Sequence, residues 1–350
     1  MGISNKDNKI KCVVWDLDNT LWDGVLLEGD RLTPRQNVFE MIKALDERGI
    51  LHSVASKGDF AAAMEKLREF EVDHYFLYPQ INWNAKSSSI ETIARSININ
   101  VDAIAFIDDQ AFELAEVAGS LPGVLCINAA GLRGLLDMPE MRPRYITDES
   151  RRRRQMYLDD MRRDIDESEY LGPKEEFLAS LDMTFTISRA RDGDLRRAEE
   201  LTVRTSQLNT TGYTYSYEEL DAFRQSPYHR LLITGLEDKY GSYGAIGLTL
   251  IECQETVWTL KLLLMSCRVM SRGVGSTLIQ YILRLAADNK VVLMAEYIPN
   301  GRNRLMYITF KFAGFKEIGR RGDIILLEND LANIQPIPDY VKIRTPDAGA

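Results

Sequence analysis

A two-domain α/β protein, with a parallel sheet first and a mixed sheet second, is predicted by three features of the sequence. The chain has 350 residues, more than one hydrophobic core usually organises. Its first part alternates short apolar runs with segments of helical periodicity, the pattern of strands joined by crossover helices. Beyond about residue 180, three long apolar runs follow one another closely, which predicts antiparallel strands. The divisions expected are an unstructured N-terminus (1–10), a parallel-sheet domain (11–136), a charged connector (137–175), a mixed α/β domain (176–335) and a loosely held, Pro-containing tail (336–350).

In the first domain "KCVVWDL" and "ILHSVASK" read as strands, separated by a helix carrying Val38, Met41, Ile42 and Leu45 on one face. Asp59 is placed to cap a helix bearing Phe60, Met64, Leu67 and Phe70. "HYFLYPQI", "AIAFIDD" and "VLCIN" complete the expected strands, with helices from about Ser87 and after Asp109. The connector holds "RRRRQMYLDDMRRDIDESEYLGP", read as a solvated, internally paired helix or as a docking patch for an acidic partner. In the second domain "MTFTISRA", "RLLITGLED", "GAIGLTLIECQ", "TVWTLKLLLMSCRV" and "VVLMAEYI" read as strands. "DLRRAEELTVRT", "GVGSTLIQYILRLAADN" and "RLMYITFKFAGF" read as helices.

Composition narrows the class. A net charge of −9 argues against a chain-wide nucleic-acid surface, and no apolar run is long enough to cross a bilayer. Cys12, Cys126, Cys253 and Cys267 lack metal-type spacing, so neither a zinc site nor a disulfide framework is expected. "MGISNKDNK" has no apolar core, and Lys6 stands where a myristoylation signal has Ser or Thr, so a cytoplasmic protein is expected.

The stretch "VVWDLDNTLWDG" carries the first chemical signal. Alternation along a strand lets Asp16 and Asp18 project toward one site, with Thr20 two residues further on. Two adjacent carboxylates repel, and a divalent cation with a preference for oxygen, such as Mg²⁺, removes that cost. "FIDD" supplies a second acidic strand end at Asp108 and Asp109; Ser56, Lys57 and the isolated Lys86 lie between. The order DLDNT, Ser, Lys, DD resembles the four motifs of the haloacid-dehalogenase-like superfamily of phosphoryl-transfer enzymes, and it implies a Rossmann-like first domain. The resemblance implies Asp16 as nucleophile, Asp18 as general acid/base and, through its backbone carbonyl, a metal ligand. It further implies Asp16 and Asp108 as metal ligands supported by Asp109, with Thr20, Ser56, Lys57 and Lys86 around the phosphoryl group. Asp109 reads equally well as the N-cap of the following helix.

Further segments narrow the resemblance. "KCVVWDLDNTLWDGVLLEGD", "NWNAKSSSI", "FIDDQAFELAEV", "LTVRTSQLNTT" and "LMSCRVMSRGVGSTLI" together resemble the FkbH-like family over roughly Lys11 to Gly319. Departures include Asp23-Gly24 for the family's Gly-Gly and Leu17 where many members carry Cys. That family joins the phosphatase-type domain to an acyltransferase-like domain similar to the GNAT fold. The resemblance implies transfer of a glyceryl group from D-1,3-bisphosphoglycerate, with loss of phosphate, to the phosphopantetheine thiol of an acyl carrier protein in polyketide biosynthesis. Cofactors are then Mg²⁺ and the carrier's phosphopantetheine, with neither nucleic acid nor membrane as partner.

In the second domain "RGVGS" (Arg272, Gly273, Gly275 and Ser276 within it) opens a helix, and reads either as a phosphate loop for a pantetheine arm or as a plain strand-to-helix turn. Cys267 precedes it, flanked by Arg268. A cationic neighbour and a helix N-terminus favour thiolate, against the alternative of a small buried hydrophobe. The resemblance implies an acyl-cysteine there. Arg204, Gln207 and Asn209 suit either a glycerate or phosphate site or a helix-end network. His52, His74 and His229 read as structural. Two competing functions remain: a Mg²⁺-dependent phosphatase fused to a coenzyme-A-dependent N-acyltransferase, and an inactive scaffold, against which the intact acidic motifs argue.

Overall fold

The structure is a computed structural model that describes residues 10–346. The expected unstructured N-terminus lies outside the described residues apart from Ile10. The chain forms two compact units, one to Leu158 and one from Asp159, dividing within the segment 137–175.

In the first unit five parallel strands, β1 (Cys12–Trp15), β2 (Leu51–Ser56), β3 (Gln80–Ile81), β4 (Ile104–Asp108) and β5 (Leu125–Asn128), run in the order β3-β2-β1-β4-β5. Strands buried on both faces read as continuous apolar runs, and Cys12 to Trp15 are inaccessible to solvent. Helices α1 (Gln36–Glu47) and α2 (Phe60–Glu69) cover one face, packing Val38, Ile42, Leu45, Ala63 and Leu67 on Val13 and Trp15. Helices α3 (Lys86–Ile97) and α4 (Ala111–Ser120) bury Ile90, Ile93 and Val117 outside that cluster. Asp59 caps α2 as its sequence position requires, accepting a bond from the Ala62 amide at 2.8 Å. Most of "HYFLYPQI" is not strand. A short 3₁₀ turn at Asp73–Tyr75 opens it, Phe76 makes only an isolated parallel bridge to His52, and Gln80–Ile81 is the part that forms a strand.

Helix α5 (Arg153–Glu169) carries the arginine run. The run is in part the internally paired helix expected, with Arg162–Asp159 and Arg163–Asp160 pairs three residues apart and Arg151, Arg152 and Arg162 exposed, and in part buried. Arg163 is buried, donating to both carboxylate oxygens of Asp238 at 2.7 and 2.8 Å and lying 4.0 Å from the Tyr243 ring centroid. Arg153 is buried against the Gly49 carbonyl, and Arg154 forks onto Asp46. Arg153, Arg154 and Arg163 therefore serve as tertiary anchors. Arg197, of the Arg196-Arg197 pair, is also buried, held by Glu200 and the Ala245 carbonyl.

The second unit is built on an eight-stranded mixed sheet. Its strands are β6 (Met183–Arg189), β7 (His229–Asp238), β8 (Gly241–Cys253), β9 (Val257–Met265), β10 (Val292–Tyr297), β11 (Lys316–Arg321), β12 (Ile324–Asn329) and β13 (Val341–Arg344), in the order β11-β12-β10-β9-β8-β7-β6-β13. The antiparallel run β6 to β9 is as the apolar segments predict. Helices α6 (Lys174–Ser180), α9 (Val274–Asp288) and α10 (Arg304–Phe312) pack on one face through Phe177, Leu278, Ile282 and Phe310. Helices α7 (Leu195–Arg204) and α8 (Tyr217–Gln225) pack on the other through Leu195, Leu201 and Leu220. The described part of the tail, to residue 346, is tied to the sheet. Val341 to Arg344 form β13, parallel to β6, because Val341 buries its side chain beside Met183.

One seam interrupts the sheet. The parallel pair β9·β10 ends at Leu260↔Ala295, although β9 runs on to Met265. Leu208 to Thr210 fill the gap. The Met265 amide donates to the Leu208 carbonyl, Thr210 N to Leu263 O and Ile298 N to Thr210 O, at 2.9, 3.1 and 3.0 Å.

His52, inside β2, accepts from the Trp15 indole at 3.1 Å, and burial lowers it to about 3. The folded chain thus keeps His52 neutral where the unfolded chain, at an ordinary value near ~6.5, takes up a proton. The unfolded state binds more protons between those values, so stability is lost as pH falls through ~6.5, by up to ~1.4 kcal/mol per unit. His52→Gln keeps an acceptor for Trp15 and removes this titration. In urea melts from pH 7 to 4 the variant is expected to lose less stability than wild type; parallel losses would show that His52 does not titrate on unfolding.

Candidate active site

The strand ends of the first unit converge. Asp16 follows β1, Ser56 ends β2, Asp108 ends β4 and Lys86 opens α3, all at the carboxyl edge where parallel sheets bind ligands. Asp16 and Asp108 lie on adjacent strands, since Trp15 pairs with Ile107. The Lys86 ammonium bridges them, bonded to Asp16 Oδ1 and to Asp108 Oδ2, the latter at 2.7 Å. All three are buried. Burial is the main cause that pushes Asp16 up, to about 7, with Lys86 opposing it. Burial also works against the charge on Lys86, but Asp16 and Asp108 outweigh it and raise the ammonium above its ordinary value. These directions oppose each other. An ammonium touching two carboxylates is the better supported charge, because neither acid has a comparable second cation.

Asp108 Oδ1 accepts from the Gln110 amide at 2.8 Å, and Gln110, not Asp109, is the N-cap residue of α4. The capping alternative for Asp109 is thereby removed. Its Oδ1 is buried without a hydrogen-bond partner, and burial followed by the Asp108 charge raises its pKa. Oxygens of Asp16, Asp108 and Asp109 lie within 4.8 Å of one another. An all-oxygen, acidic donor set with one orphaned carboxylate oxygen fits Mg²⁺.

Asp18 does not bring its side chain to that cluster. Its Oδ1 accepts from the Trp22 indole at 2.8 Å and from the Leu26 amide at 3.1 Å, so the segment that follows it holds its side chain. Thr20 is fully buried, its hydroxyl without a partner. Lys57 pairs with Glu113 at 2.5 Å, which occupies its ammonium. A shallow cleft lies beside Asp18, lined by Trp22, Leu26, Ser56, Lys57 and Gly58 among others. Glu116 was not foreseen. It accepts from both the amide and the hydroxyl of Ser87, fixing the first turn of α3 and with it Lys86.

In the second unit Cys267 begins a single 3₁₀ turn, Cys267–Val269, directly after β9, and is half-buried. It is not at the N-terminus of α9: that turn and the Met270–Gly273 link intervene. Arg268 donates to the Tyr243 carbonyl at 2.8 Å, and its other terminal nitrogen is buried without a partner. Arg272 is not turned toward a ligand. It is buried, donating to Glu167 at 2.7 Å and lying 3.5 Å from Asp164. Gly273 has φ +75°, and a Cβ there would stand 2.4 Å from the Tyr340 hydroxyl, so the position needs glycine. Gly275 lies in the first turn of α9, and Ser276 turns its hydroxyl back onto the Gly273 carbonyl at 2.7 Å.

Asn209 is structural. Its side chain donates to Thr205 O and Tyr213 O and accepts from the Thr211 and Gly212 amides, which uses its hydrogen-bonding capacity within one loop. Arg204 ends α7, and Gln207 is half-buried in the loop that follows. The helix-end network is therefore the reading the structure supports for Asn209. Cys12 is buried in β1, and Cys126 and Cys253 are half-buried in strands.

No protein-family model matches the chain, and neither does any curated protein. Among solved structures, the chain is similar to the N-terminal part of a Bacteroides fragilis protein containing a phosphatase domain, complexed with Mg. The identity is 30% over 34% of this chain and 36% of that one, with a TM-score of 0.31. The match thus spans about a third of that protein's chain. The chain is also similar to a ribosomal-protein alanine N-acetyltransferase from Escherichia coli, at 17% identity over 43% of this chain and 96% of that one, TM-score 0.35. A GNAT-family acetyltransferase from Listeria monocytogenes matches at 13% identity over 41% of this chain and 94% of that one, TM-score 0.32. Among the described residues no helix is long and apolar enough to cross a membrane.

Replacing Lys86 by Met strands two buried carboxylates. In metal-free protein the loss is expected to be about 3–5 kcal/mol of stability. Mg²⁺ is expected to raise the melting temperature of the variant more than that of wild type. Equal shifts in both proteins would show that the three aspartates do not form a cation site.

Proposed function

We propose that the first unit performs Mg²⁺-assisted phosphoryl transfer and the second unit acyl transfer. The observation that carries this reading is the buried Asp16–Lys86–Asp108 bridge with the orphaned Asp109 oxygen beside it. Asp16, Asp108 and Asp109 would hold Mg²⁺, which when bound screens the repulsion between a phosphate and the acids. Lys86 binds the phosphoryl oxygens, and the Ser56 hydroxyl, which also bonds Asp16, orients the attacking carboxylate. Asp16 attacks phosphorus, the P–O bond to the alcohol breaks, and Asp18 delivers the proton that the leaving oxygen needs. Water then cleaves the aspartyl phosphate.

The more specific reading follows the family resemblance. The glyceryl group of D-1,3-bisphosphoglycerate passes to a carrier-protein thiol through Cys267. The thiolate attacks the acyl carbon, a C–S bond forms, the C–O bond to phosphate breaks, and phosphate leaves with the electron pair. The phosphopantetheine thiol repeats the exchange, and the Cys267 thiolate is regenerated. The first unit removes the remaining phosphate ester. The position of Cys267 at the end of a central strand supports this role; Arg272, spent on Glu167 and Asp164, shapes the adjoining loop instead of binding the pantetheine arm.

Intact-protein mass spectrometry with Mg²⁺, D-1,3-bisphosphoglycerate and a phosphopantetheinylated carrier protein tests the reading. Wild type is expected to show a glyceryl adduct that moves to the carrier, and Cys267→Ala to show neither. An adduct on the carrier despite Cys267→Ala would remove the cysteine from the pathway. Acylation of an amine from acyl-coenzyme A, with no adduct on either protein, would favour the phosphatase–N-acyltransferase fusion. Asp16→Asn is expected to slow phosphate release from a phosphate monoester about 10³-fold or more while Cys267→Ala leaves it unchanged. Unaltered release by Asp16→Asn would refute the nucleophile assignment.

A further inference from the structure

Helix α10 is apolar on two faces. Met306 and Phe310 enter the core, whereas Leu305, Ile308 and Phe312 lie on a separate face with 40%, 37% and 86% of their surfaces exposed. An apolar stripe at helical spacing on the outside of a helix marks a contact surface. Beside it runs the edge strand β11, exposed throughout, with Ile318 at 51%. The Tyr307 hydroxyl donates to Glu317 at 3.4 Å and links the two elements.

The stripe lies in a cationic field. From Ile298 to Lys316 the chain carries Arg302, Arg304, Lys311 and Lys316 and no acidic residue, in a protein of net charge −9. All four cations are exposed; Lys316 is shared with Asp330 at 3.0 Å. An apolar centre with a charged rim is the anatomy of a protein interface. Nucleic acid would engage the cations and leave the stripe unused. An anionic bilayer would take up the stripe, but the flanking hairpin is mixed in sign, Glu317 and Asp323 standing among Lys316, Arg320 and Arg321. By contrast, the basic segments at Arg153–Arg154, Arg163 and Arg197 are committed to intramolecular partners.

We propose that the outer face of α10, with Ile318, is the docking surface for an acidic carrier protein that presents the receiving thiol. This rests on the reading of the second unit as a transferase to a carrier-bound thiol. Apolar anchoring comes from Phe312 and Ile308, and Arg304 and Lys311 steer the acidic surface into place.

The test uses the full chain carrying Arg304→Glu with Lys311→Glu, and separately Phe312→Ser. D-1,3-bisphosphoglycerate is the donor, and phosphopantetheinylated carrier protein and free pantetheine are the two acceptors. Both variants are expected to raise KM for the carrier protein about tenfold, the charge reversal with a weakened salt dependence. Turnover on pantetheine is expected to stay at the wild-type level, which also reports correct folding. An unchanged KM for the carrier protein, or equal losses on both acceptors, would overturn the surface. If wild type acylates neither thiol, the transferase reading fails on its own account. Calorimetric binding of the carrier protein to wild type and to the charge-reversed variant then decides the surface, and equal Kd values overturn it. Co-sedimentation of wild type, but not of Phe312→Ser, with anionic phospholipid vesicles would assign the face to a membrane and overturn it equally.

Discussion

Two carboxylates that cannot coexist unaided set the terms for the first unit. Parallel pairing of β1 with β4 brings Asp16 and Asp108 to the same edge, and neither is exposed enough for water to screen it. Lys86 resolves the conflict, and its position depends on much else. It is the first residue of α3, and that turn is held by Glu116 from α4. The helix layer on that side of the sheet therefore places one ammonium between two acids. A buried triad of this kind contributes little stability, because desolvation consumes most of the Coulombic gain. Its value lies in a fixed charge pattern ready for an anionic ligand and a cation.

Much of this was legible in the sequence because it is local. Asp16, Ser56, Lys86 and Asp108 each end a strand or begin a helix, and apolar runs of the right length announce those boundaries. The weaknesses are equally physical. "HYFLYPQI" has the apolar content of a strand, yet His74 and Tyr75 lie in a 3₁₀ turn and Phe76 makes only an isolated bridge to His52. The hairpin β11·β12 escaped notice because "KEIGRR" carries no clean apolar period, whereas helix α8 was legible in the Ser216–Glu219 capping box ahead of Leu220 and Phe223. Asn209 and Arg272 show a different limit: their residue types suit ligands, but partners close in sequence (Thr205, Tyr213) or distant (Glu167) claim them first.

The arginine run makes the same point with the opposite sign. A string of charges reads as solvated surface, since a buried guanidinium needs several acceptors that local sequence rarely supplies. Here Asp238 and the Tyr243 ring supply them from the β7–β8 hairpin, and Asp160 supplies one from α5 itself. The surface that is cationic in the folded second unit is a segment with modest charge density, conspicuous only once Leu305, Ile308 and Phe312 are seen beside it.

The seam beside β9 has a consequence for anything that would bind there. Past Leu260 the outer edge of β9 is already occupied, because Leu208 and Thr210 take the amides and carbonyl that a neighbouring strand would use. An extended, amide-bearing ligand can gain those bonds only by evicting that segment, and eviction breaks as many bonds as entry makes. Access to this edge is therefore an exchange reaction. Its affinity is set less by the bonds offered than by how firmly Asn209 and Asn303 hold the resident segment in place.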